Sequence, residues 1–173
     1  MRAEATHEIQ IRRFQLEVDD IDELTELVHQ AYRQLADMGL NYTAVDQDAT
    51  VTRRRVQDGY CLIAEANGTM VGTVTYYAPG VKTYCDWYAR NGVGHIGQFA
   101  VLPDYQGFGI GGRLLDAVEA LAVNGDGTDL ALDTAEPAAH LRRYYEKRGY
   151  RCVDYVQWEG KTYRSVIMSK PLR

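Results

Sequence analysis

Apolar and polar positions along the chain follow two periods, one typical of helices and the other of strands. From Ile21 to Leu35 the apolar residues recur at helical spacing, and Asp19 or Asp20 precedes them as a capping residue. Further helices are predicted over 48–58, from residue 110 onwards, and over 137–148. Strands are predicted over 8–16, 61–66, 70–77, 95–102, 129–134, 151–157 and 161–169.

The order of these elements is one strand, two helices and three strands, followed by helix, strand, helix and two strands. Asn67-Gly68 between two apolar runs predicts a β-hairpin, so the sheet should begin antiparallel. The order therefore predicts an α/β fold with one mixed sheet and helices on its faces. Because the chain has 173 residues and no linker or internal repeat, we expect a single domain over residues 1–173.

The segment 79–94 has no clear period and is rich in aromatic residues. Loops of this length in compact domains are often functional. Tyr84, Trp87 and Tyr88 could therefore line a substrate pocket, or they could cover one edge of the core. The sequence favours neither interpretation over the other.

Charge and composition narrow the possible partners. The formal net charge of −5 argues against a nucleic-acid-binding protein, which usually has a basic face. The small basic groups at 53–55 and 142–143 are interpreted as solvated helix faces. No apolar run approaches the roughly 20 residues of a membrane-spanning helix, and residues 1–13 lack the apolar core of a secretory signal.

The three cysteines, Cys61, Cys85 and Cys152, are odd in number and far apart in sequence. This pattern predicts neither a disulfide framework nor a zinc site. Free thiols are typical of a reducing compartment, so the sequence predicts a cytoplasmic protein without a bound metal.

Four glycines lie between Gln106 and Gly112, directly before a strong helix pattern. Such a cluster suits a turn that approaches a ligand closely. Gly107, Gly109 and Gly112 satisfy the dinucleotide fingerprint G-x-G-x-x-G, and Asp133 follows about 20 residues later. However, four residues separate the preceding strand from the first glycine, and repeated βαβ units are missing. A dinucleotide-binding protein remains an alternative.

The Walker A phosphate loop is excluded by two substitutions. Gly107 and Gly112 have the required spacing, but Arg113 stands in place of the lysine and Leu114 in place of the Ser/Thr. Without that hydroxyl the loop has no magnesium ligand.

Gln106, Gly109 and Gly111 also form the pattern Q-x-x-G-x-G after a strand ending in V-L-P. The whole stretch FAVLPDYQGFGIGGRLL resembles the main cofactor motif of the GNAT N-acetyltransferase superfamily. The later stretch YYEKRGY, residues 144–150, is similar to the last helix of that family. The two motifs occur at the separation seen in the family, and the element order fits nearly the whole chain.

The resemblance implies acetyl-CoA as co-substrate, with its diphosphate on the N–H groups before and within the first helical turn. A helix N-terminus attracts anions, and glycines leave its N–H groups open. Gln106 should close the turn, and Arg113 should either add positive charge or be a solvated helix residue. The implied cofactor-binding residues are Phe99, Ala100, Val101, Gln106, Gly107, Phe108, Gly109, Ile110, Gly111, Gly112 and Arg113.

The family fold further implies that strands 95–102 and 129–134 are parallel and splay apart around the pantetheine arm. Phe99 and Val101 should then supply main-chain contacts, and the N–H of Ala100 or Phe99 should face the thioester oxygen. Tyr145 matches the family position of the general acid that protonates the leaving thiolate. Alternatively, Tyr145 is an aromatic residue of the core without a catalytic role.

The general base is where the sequence departs from the family pattern, because Gly97 occupies the usual glutamate position. Candidates are His95, Asp133, Glu136 or an ordered water, and the alternative interpretation of His95, which the sequence favours, is a strand-end residue without a role. The asparagine expected early in the last helix is also absent, with Ala138 in its place.

The resemblance implies transfer of an acetyl group to a primary amine of a small molecule or peptide, which the sequence does not identify. Tyr84, Trp87 and Asp133 are the predicted acceptor-binding residues, with Tyr42 and Trp158 as further candidates for an aromatic wall. A non-catalytic acyl-CoA-binding sensor or subunit is the alternative. Family members are often homodimers, and the sequence identifies no interface for one.

Overall fold

A seven-stranded mixed sheet forms the centre of the described part of the chain, residues 8–172, in a computed structural model. The strands are β1 (Ile9–Arg13), β2 (Tyr60–Ala66), β3 (Thr69–Tyr77), β4 (Val93–Val101), β5 (Asp129–Ala135), β6 (Arg151–Val156) and β7 (Ser165–Pro171). Their order across the sheet is β1-β2-β3-β4-β5-β7-β6. The helices are α1 (Ile21–Asp37), α2 (Thr43–Asp46), α3 (Ala49–Asp58), α4 (Ile110–Asn124) and α5 (Ala139–Lys147).

This architecture confirms the predicted mixed α/β fold. The β4–β5 pair is parallel, and the other strand pairs of the described sheet are antiparallel. A dinucleotide-binding fold needs repeated parallel βαβ units, so the sheet does not support that alternative. Residues 1–7 lie outside the described part, and they include most of the segment used above to argue against a secretory signal.

Local sequence signals account for several element boundaries. Asp20 caps α1, where its carboxylate accepts hydrogen bonds from the N–H groups of Asp22 and Glu23 at 2.8 and 3.4 Å. Asn67 and Gly68 both have positive φ, 51° and 79°, as a tight hairpin turn requires. These predictions are confirmed.

Other boundaries were predicted wrongly. The short helix α2 was not predicted, and β7 begins at Ser165, not at residue 161. The start of β7 is delayed because Lys161 and Thr162 are bonded to the segment after α1. The Lys161 ammonium donates to the carbonyl of Asn41 at 2.8 Å, and the Thr162 N–H donates to Oδ1 of Asn41 at 2.9 Å.

The helices cover both faces of the sheet. Leu114, Leu115 and Val118 of α4 are fully buried against one face, and Leu24 and Val28 of α1 are fully buried against the other. Helical spacing of apolar residues produces such one-sided burial. The sheet is thus packed between α4 on one face and α1 on the other.

The parallel strands β4 and β5 separate part-way along their length, as expected. Their pairing covers Val93–Asp129, Gly94–Leu130 and His95–Ala131 and then stops. Just beyond this point β4 has a bulge, because Thr75 pairs with Gly97 but Thr73 pairs with Ala100. A bulge bends its strand and increases the local twist. The bulge therefore directs the end of β4 away from β5 and leaves a gap in the sheet.

Candidate active site

The glycine loop ends at the N-terminus of α4, which begins at Ile110. Gly107 and Gly109 have φ of 84° and 79°, a left-handed conformation that favours glycine. No side chain caps α4, so the first N–H groups of the helix lack an intrahelical acceptor and a capping group. A Cβ at Gly107 or Gly109 would meet no atom within 4 Å, so the space in front of these residues is open. The loop therefore fits a diphosphate.

Gln106 holds this loop against the end of β4. Its Nε2 donates a hydrogen bond to the carbonyl of Val101 at 3.1 Å. The structure thus gives Gln106 the turn-closing position predicted for it.

Two side chains of the predicted loop set point elsewhere. Phe108 is 77% exposed and does not line the cavities described below. The Arg113 guanidinium donates to the carbonyl of Ile9 on β1 at 3.0 Å. Only the backbone of Phe108 is therefore placed to contact a ligand in the loop. The positive charge of Arg113 lies at β1 and not at the loop.

A first cavity of about 450 Å³ lies between the glycine loop, the end of β4, α1 and α5. Apolar and aromatic groups mix with backbone polar groups in its wall, as is typical of ligand pockets. Its lining includes Tyr32, Tyr42, Phe99, Ala100, Val101, Gln106, Gly107, Gly109, Ile110, Gly111, Gly112, Asp133, His140, Tyr144 and Tyr145.

Backbone groups of β4 alternate between β3 and the gap. The N–H of Leu102 donates to Val71 on β3, so the polar groups of Ala100 also face β3 and those of Phe99 and Val101 face the gap. The Tyr32 hydroxyl donates to the Phe99 carbonyl from the gap side at 2.9 Å. Of the two candidate oxyanion donors, the Phe99 N–H has the suitable direction and the Ala100 N–H does not.

A second cavity of about 470 Å³ adjoins the first on the side of α2, α3 and the β6–β7 connection. The two cavities have five lining residues in common: Tyr32, Tyr42, Phe99, Asp133 and Tyr145. The second cavity is additionally lined by Thr43, Ala44, Arg55, Ile96, Gly97, Gln98, Leu132, Trp158, Glu159, Lys161 and Tyr163. A ligand in one cavity can therefore meet a ligand in the other at this junction.

Asp133 lies at the junction and accepts a hydrogen bond on each carboxylate oxygen. The Tyr88 hydroxyl donates to Oδ1 at 2.8 Å, and the Trp158 indole Nε1–H donates to Oδ2 at 3.1 Å. Burial raises the pKa of Asp133, while these two hydrogen bonds act in the opposite direction. The result is a carboxylate that is oriented and more basic than usual.

Tyr145 reaches the same junction from α5. Its ring is buried and packs against the rings of Phe99, Tyr144 and Tyr150 at centroid distances of 6.4, 5.5 and 6.1 Å. Its hydroxyl has no hydrogen-bond partner within residues 8–172, and burial raises its pKa well above the ordinary tyrosine value. The hydroxyl thus remains protonated near neutral pH and available to donate.

His95 lies away from the junction, between the rings of Tyr77 and Tyr88. The stacked rings have centroid distances of 4.8 and 4.2 Å from the imidazole. Burial lowers the pKa of His95 to about 4, and the residue lines neither cavity. The structure therefore does not bring this candidate base to Tyr145. Glu136, another candidate, is paired with Arg164 at 2.5 Å and also lines neither cavity.

The aromatic segment contributes to the site indirectly. Tyr84 is 84% exposed, and Trp87 packs beneath the Arg90 guanidinium, which lies 4.0 Å from its ring centroid. Neither residue lines either cavity, whereas Tyr42 and Trp158, the other residues predicted for the aromatic wall, line the second cavity. Tyr88 is the residue of this segment that contacts the junction, because its hydroxyl donates a hydrogen bond to Asp133.

Arg55, Lys161 and Tyr163 line the second cavity, although they were not predicted from the sequence as site residues. The run at 53–55 was interpreted as a solvated face, yet its third arginine lines the second cavity. Arg53 and Arg54 are exposed and Arg55 is partly buried, which is consistent with one helix face turning inward. Periodicity could have separated Arg55 from its neighbours, but nothing local predicted the cavity that it faces.

Comparison with known proteins agrees with this geometry. A sequence model described as the acetyltransferase (GNAT) family matches residues 21–150, three quarters of the chain. This chain belongs to the acetyltransferase (GNAT) family. The chain is therefore an acetyltransferase, and members of its family use acetyl-CoA.

Two curated GNAT relatives come from Bacillus subtilis. The chain is 30% identical over 164 residues to an S-(2-succino)cysteine N-acetyltransferase. The aligned region covers 93% of this chain and 96% of the relative. The chain is 26% identical over 161 residues to an S-alkylcysteine N-acetyltransferase, with 90% and 85% coverage. Both relatives act on amines derived from cysteine.

Solved structures show the same GNAT fold. PH1933 from Pyrococcus horikoshii has a TM-score of 0.75 at 22% identity, covering 95% of this chain and 98% of that protein. A GNAT acetyltransferase from Elizabethkingia anophelis, solved with acetyl-CoA bound, has a TM-score of 0.66 at 18% identity, with 94% and 97% coverage. Among residues 8–172 no helix is both long and apolar enough to cross a membrane.

Proposed function

We propose that this acetyltransferase transfers the acetyl group of acetyl-CoA to the primary amine of a small S-substituted cysteine. The observation that carries the proposal is the junction of the two cavities, where Asp133 and Tyr145 both line the wall. The first cavity adjoins the glycine loop and suits acetyl-CoA. The second suits a small acceptor, and both curated relatives acetylate cysteine-derived amines.

Residues of the first cavity hold acetyl-CoA in this proposal. The diphosphate binds the N–H groups of the glycine loop and of the first turn of α4. The pantetheine arm enters the gap between β4 and β5, where the backbone groups of Phe99 and Val101 offer strand-like contacts. The Phe99 N–H faces the thioester oxygen and stabilises the negative charge that develops there.

Asp133 acts as the general base. An amine with a pKa near 10 is mostly protonated at pH 7 and must lose a proton before it can attack. The carboxylate of Asp133 takes that proton, and the amine nitrogen then forms a bond to the thioester carbon. This assignment gives the reaction a base although Gly97 occupies the position of the usual glutamate.

Tyr145 acts as the general acid. When the tetrahedral intermediate collapses, the carbon–sulfur bond breaks and the CoA thiolate takes the proton of the Tyr145 hydroxyl. One of the two protons on the acylated nitrogen restores the tyrosine, the other stays on the amide, and the proton that Asp133 took is released to solvent. The products are the N-acetylated acceptor, CoA thiol and one released proton.

Thiol release in the presence of acetyl-CoA and a panel of amines tests this function. The panel contains S-methylcysteine, S-(2-succino)cysteine, a lysine peptide and a polyamine. We expect CoA release with the two cysteine derivatives, above the background of acetyl-CoA alone. Release only with the peptide or the polyamine would overturn the acceptor class. CoA binding without release for any amine would instead identify a non-catalytic acyl-CoA-binding protein.

A further inference from the structure

The second cavity contains two cationic side chains from distant parts of the chain. Arg55 comes from α3, and Lys161 comes from the connection between β6 and β7. The guanidinium of Arg55 forms no ion pair and no hydrogen bond with another residue of the described chain. A partly buried guanidinium that lines a cavity without a partner is costly unless a ligand supplies the counter-charge.

Lys161 is held in position by its neighbours and retains donor capacity. Its Nζ donates to the Asn41 carbonyl at 2.8 Å and to Oγ1 of Thr43 at 3.0 Å. An ammonium has three N–H donors, so one is left for a ligand. Burial and the positive charge of Arg55 lower the pKa of Lys161, which places the two cations within electrostatic reach of each other.

A buried neutral side chain lies in the same cavity wall. Gln98 is buried at the β4 bulge and lines the second cavity. Its Oε1 accepts from Nε2 of Gln47 at 2.9 Å, whereas its own Nε2 has no partner in the described part of the chain. The charged donors of this cavity are therefore Arg55 and Lys161.

The acidic groups of this cavity do not neutralise the two cations by contact. Asp133 is bonded to Tyr88 and Trp158, and the exposed Glu159 forms no ion pair among residues 8–172. Asp46, whose charge acts on Lys161, lines neither cavity. An acceptor that brings its own carboxylate would satisfy the cations.

We propose that Arg55 and Lys161 form a carboxylate-binding subsite that selects acceptors carrying a carboxylate near the reacting amine. The acceptor carboxylate binds the guanidinium and the ammonium, and its amine is then directed toward Asp133. The aromatic side chains of Tyr42, Trp158 and Tyr163 provide apolar surface for the rest of the molecule. This inference rests on the proposed acetyl transfer, and it adds the chemical group by which the acceptor is recognised.

Kinetics with matched acceptors tests the subsite. For the wild-type enzyme, we expect kcat/KM to be about 10- to 100-fold higher for S-methylcysteine than for S-methylcysteine amide, the size of effect of one charged hydrogen-bonded contact. Arg55→Met should lower kcat/KM for S-methylcysteine by a similar factor, mainly through KM, and leave the amide unchanged. S-(2-succino)cysteine, measured in parallel, shows whether a side-chain carboxylate uses the same subsite.

Arg54→Met is the matched control, because Arg54 is exposed on the same helix and lines neither cavity. It should behave like the wild type with every acceptor. The KM for acetyl-CoA of Arg55→Met should also match the wild type, and its melting temperature should not be lower, because the substitution removes an unpaired, partly buried charge. Equal effects of the two substitutions, or equal rates for acid and amide in the wild type, would overturn the subsite while leaving the acetyl transfer intact.

A binding measurement separates failure of the subsite from failure of the proposed function. Isothermal titration of S-methylcysteine and its amide into the CoA-loaded protein requires no turnover. Tighter binding of the acid, lost in Arg55→Met and kept in Arg54→Met, supports the subsite even if no acetyl transfer is detected. Equal binding of acid and amide contradicts it.

Discussion

The Tyr88 hydroxyl donates a hydrogen bond to Oδ1 of Asp133 at 2.8 Å. This bond joins a buried aromatic side chain of the segment 79–94 to the carboxylate at the junction of the two cavities. Trp158 donates to the other oxygen, so the carboxylate is held from two sides. Asp133 is thereby fixed in orientation, as a general base must be to meet the amine repeatedly in the same geometry.

Replacing Asp133 tests the base directly. Asp133→Asn keeps the size of the side chain but cannot accept the amine proton, so we expect kcat/KM to fall by about 100-fold or more. The pH–rate profile supplies the second measurement. A base must be deprotonated to act, so the rate should fall as pH decreases through the raised pKa of Asp133. Asp133→Asn should lose this limb, and an unchanged limb would assign it to another group.

Trp158→Phe should shift the acidic limb of the pH–rate profile while leaving the Asp133 carboxylate in place. The indole N–H stabilises the ionised carboxylate, so its loss should raise the pKa of Asp133 further and shift the limb to higher pH. Trp87→Phe is the control, because the Trp87 indole N–H has no hydrogen-bond partner in the described chain. A limb that moves equally in both variants would point to a general packing effect.

Tyr145→Phe should lower kcat by about 100-fold, the order of magnitude of general acid catalysis, while the affinity for CoA stays nearly unchanged. In the proposed mechanism its hydroxyl donates to the leaving thiolate, and it makes no hydrogen bond among the described residues. Tyr144→Phe is a close comparison, because Tyr144 lines only the first cavity and should retain most of the turnover. Steady-state rates and calorimetric CoA binding measure both quantities. Unaltered turnover in Tyr145→Phe would remove the acid role.

Gly109→Ala should weaken CoA binding by about 10-fold or more, the equivalent of losing one charged hydrogen bond. The added methyl group lies in the open space in front of the loop, where we place the diphosphate. Gly68→Ala is a matched control, since both glycines have φ of 79° and neither would bring a Cβ within 4 Å of another atom. Both variants should lose roughly 1–2 kcal/mol of stability from left-handed strain. Only Gly109→Ala should change the dissociation constant.

His95 should make the stability of the fold depend on pH. Its folded-state pKa of about 4 lies below the model-peptide value of 6.5, so the unfolded chain binds the proton more readily. The free energy of unfolding contributed by His95 is present above pH 6.5 and is lost as pH falls toward 4. We expect His95→Phe to remove about 2 to 3 kcal/mol of this dependence. Urea unfolding of both proteins at pH 7.5 and pH 4.5 measures the difference, and parallel pH curves would contradict it.

Features that depend only on residues close together in the chain could be predicted from the sequence. Asp20 caps α1, Asn67-Gly68 turns a hairpin, and the glycines from residue 107 open the first turn of α4. Each follows from local backbone preferences or from the hydrogen bonds that a helix end lacks. The glycine loop is such a local feature, so its motif could be found from the sequence.

The contacts between side chains that are far apart in the chain could not be predicted, because they depend on the three-dimensional packing. Asp133, Tyr145, Arg55 and Lys161 belong to four different elements or connections, and no local pattern states that they line neighbouring cavities. Their meeting depends on the bulge in β4, which ends the pairing with β5, and on the packing of α3 and the β6–β7 connection around the gap. The same packing turns Tyr84 outward and places His95 between two rings. These positions depend on residues that are distant in the sequence, because a side chain is buried only where another element packs over it.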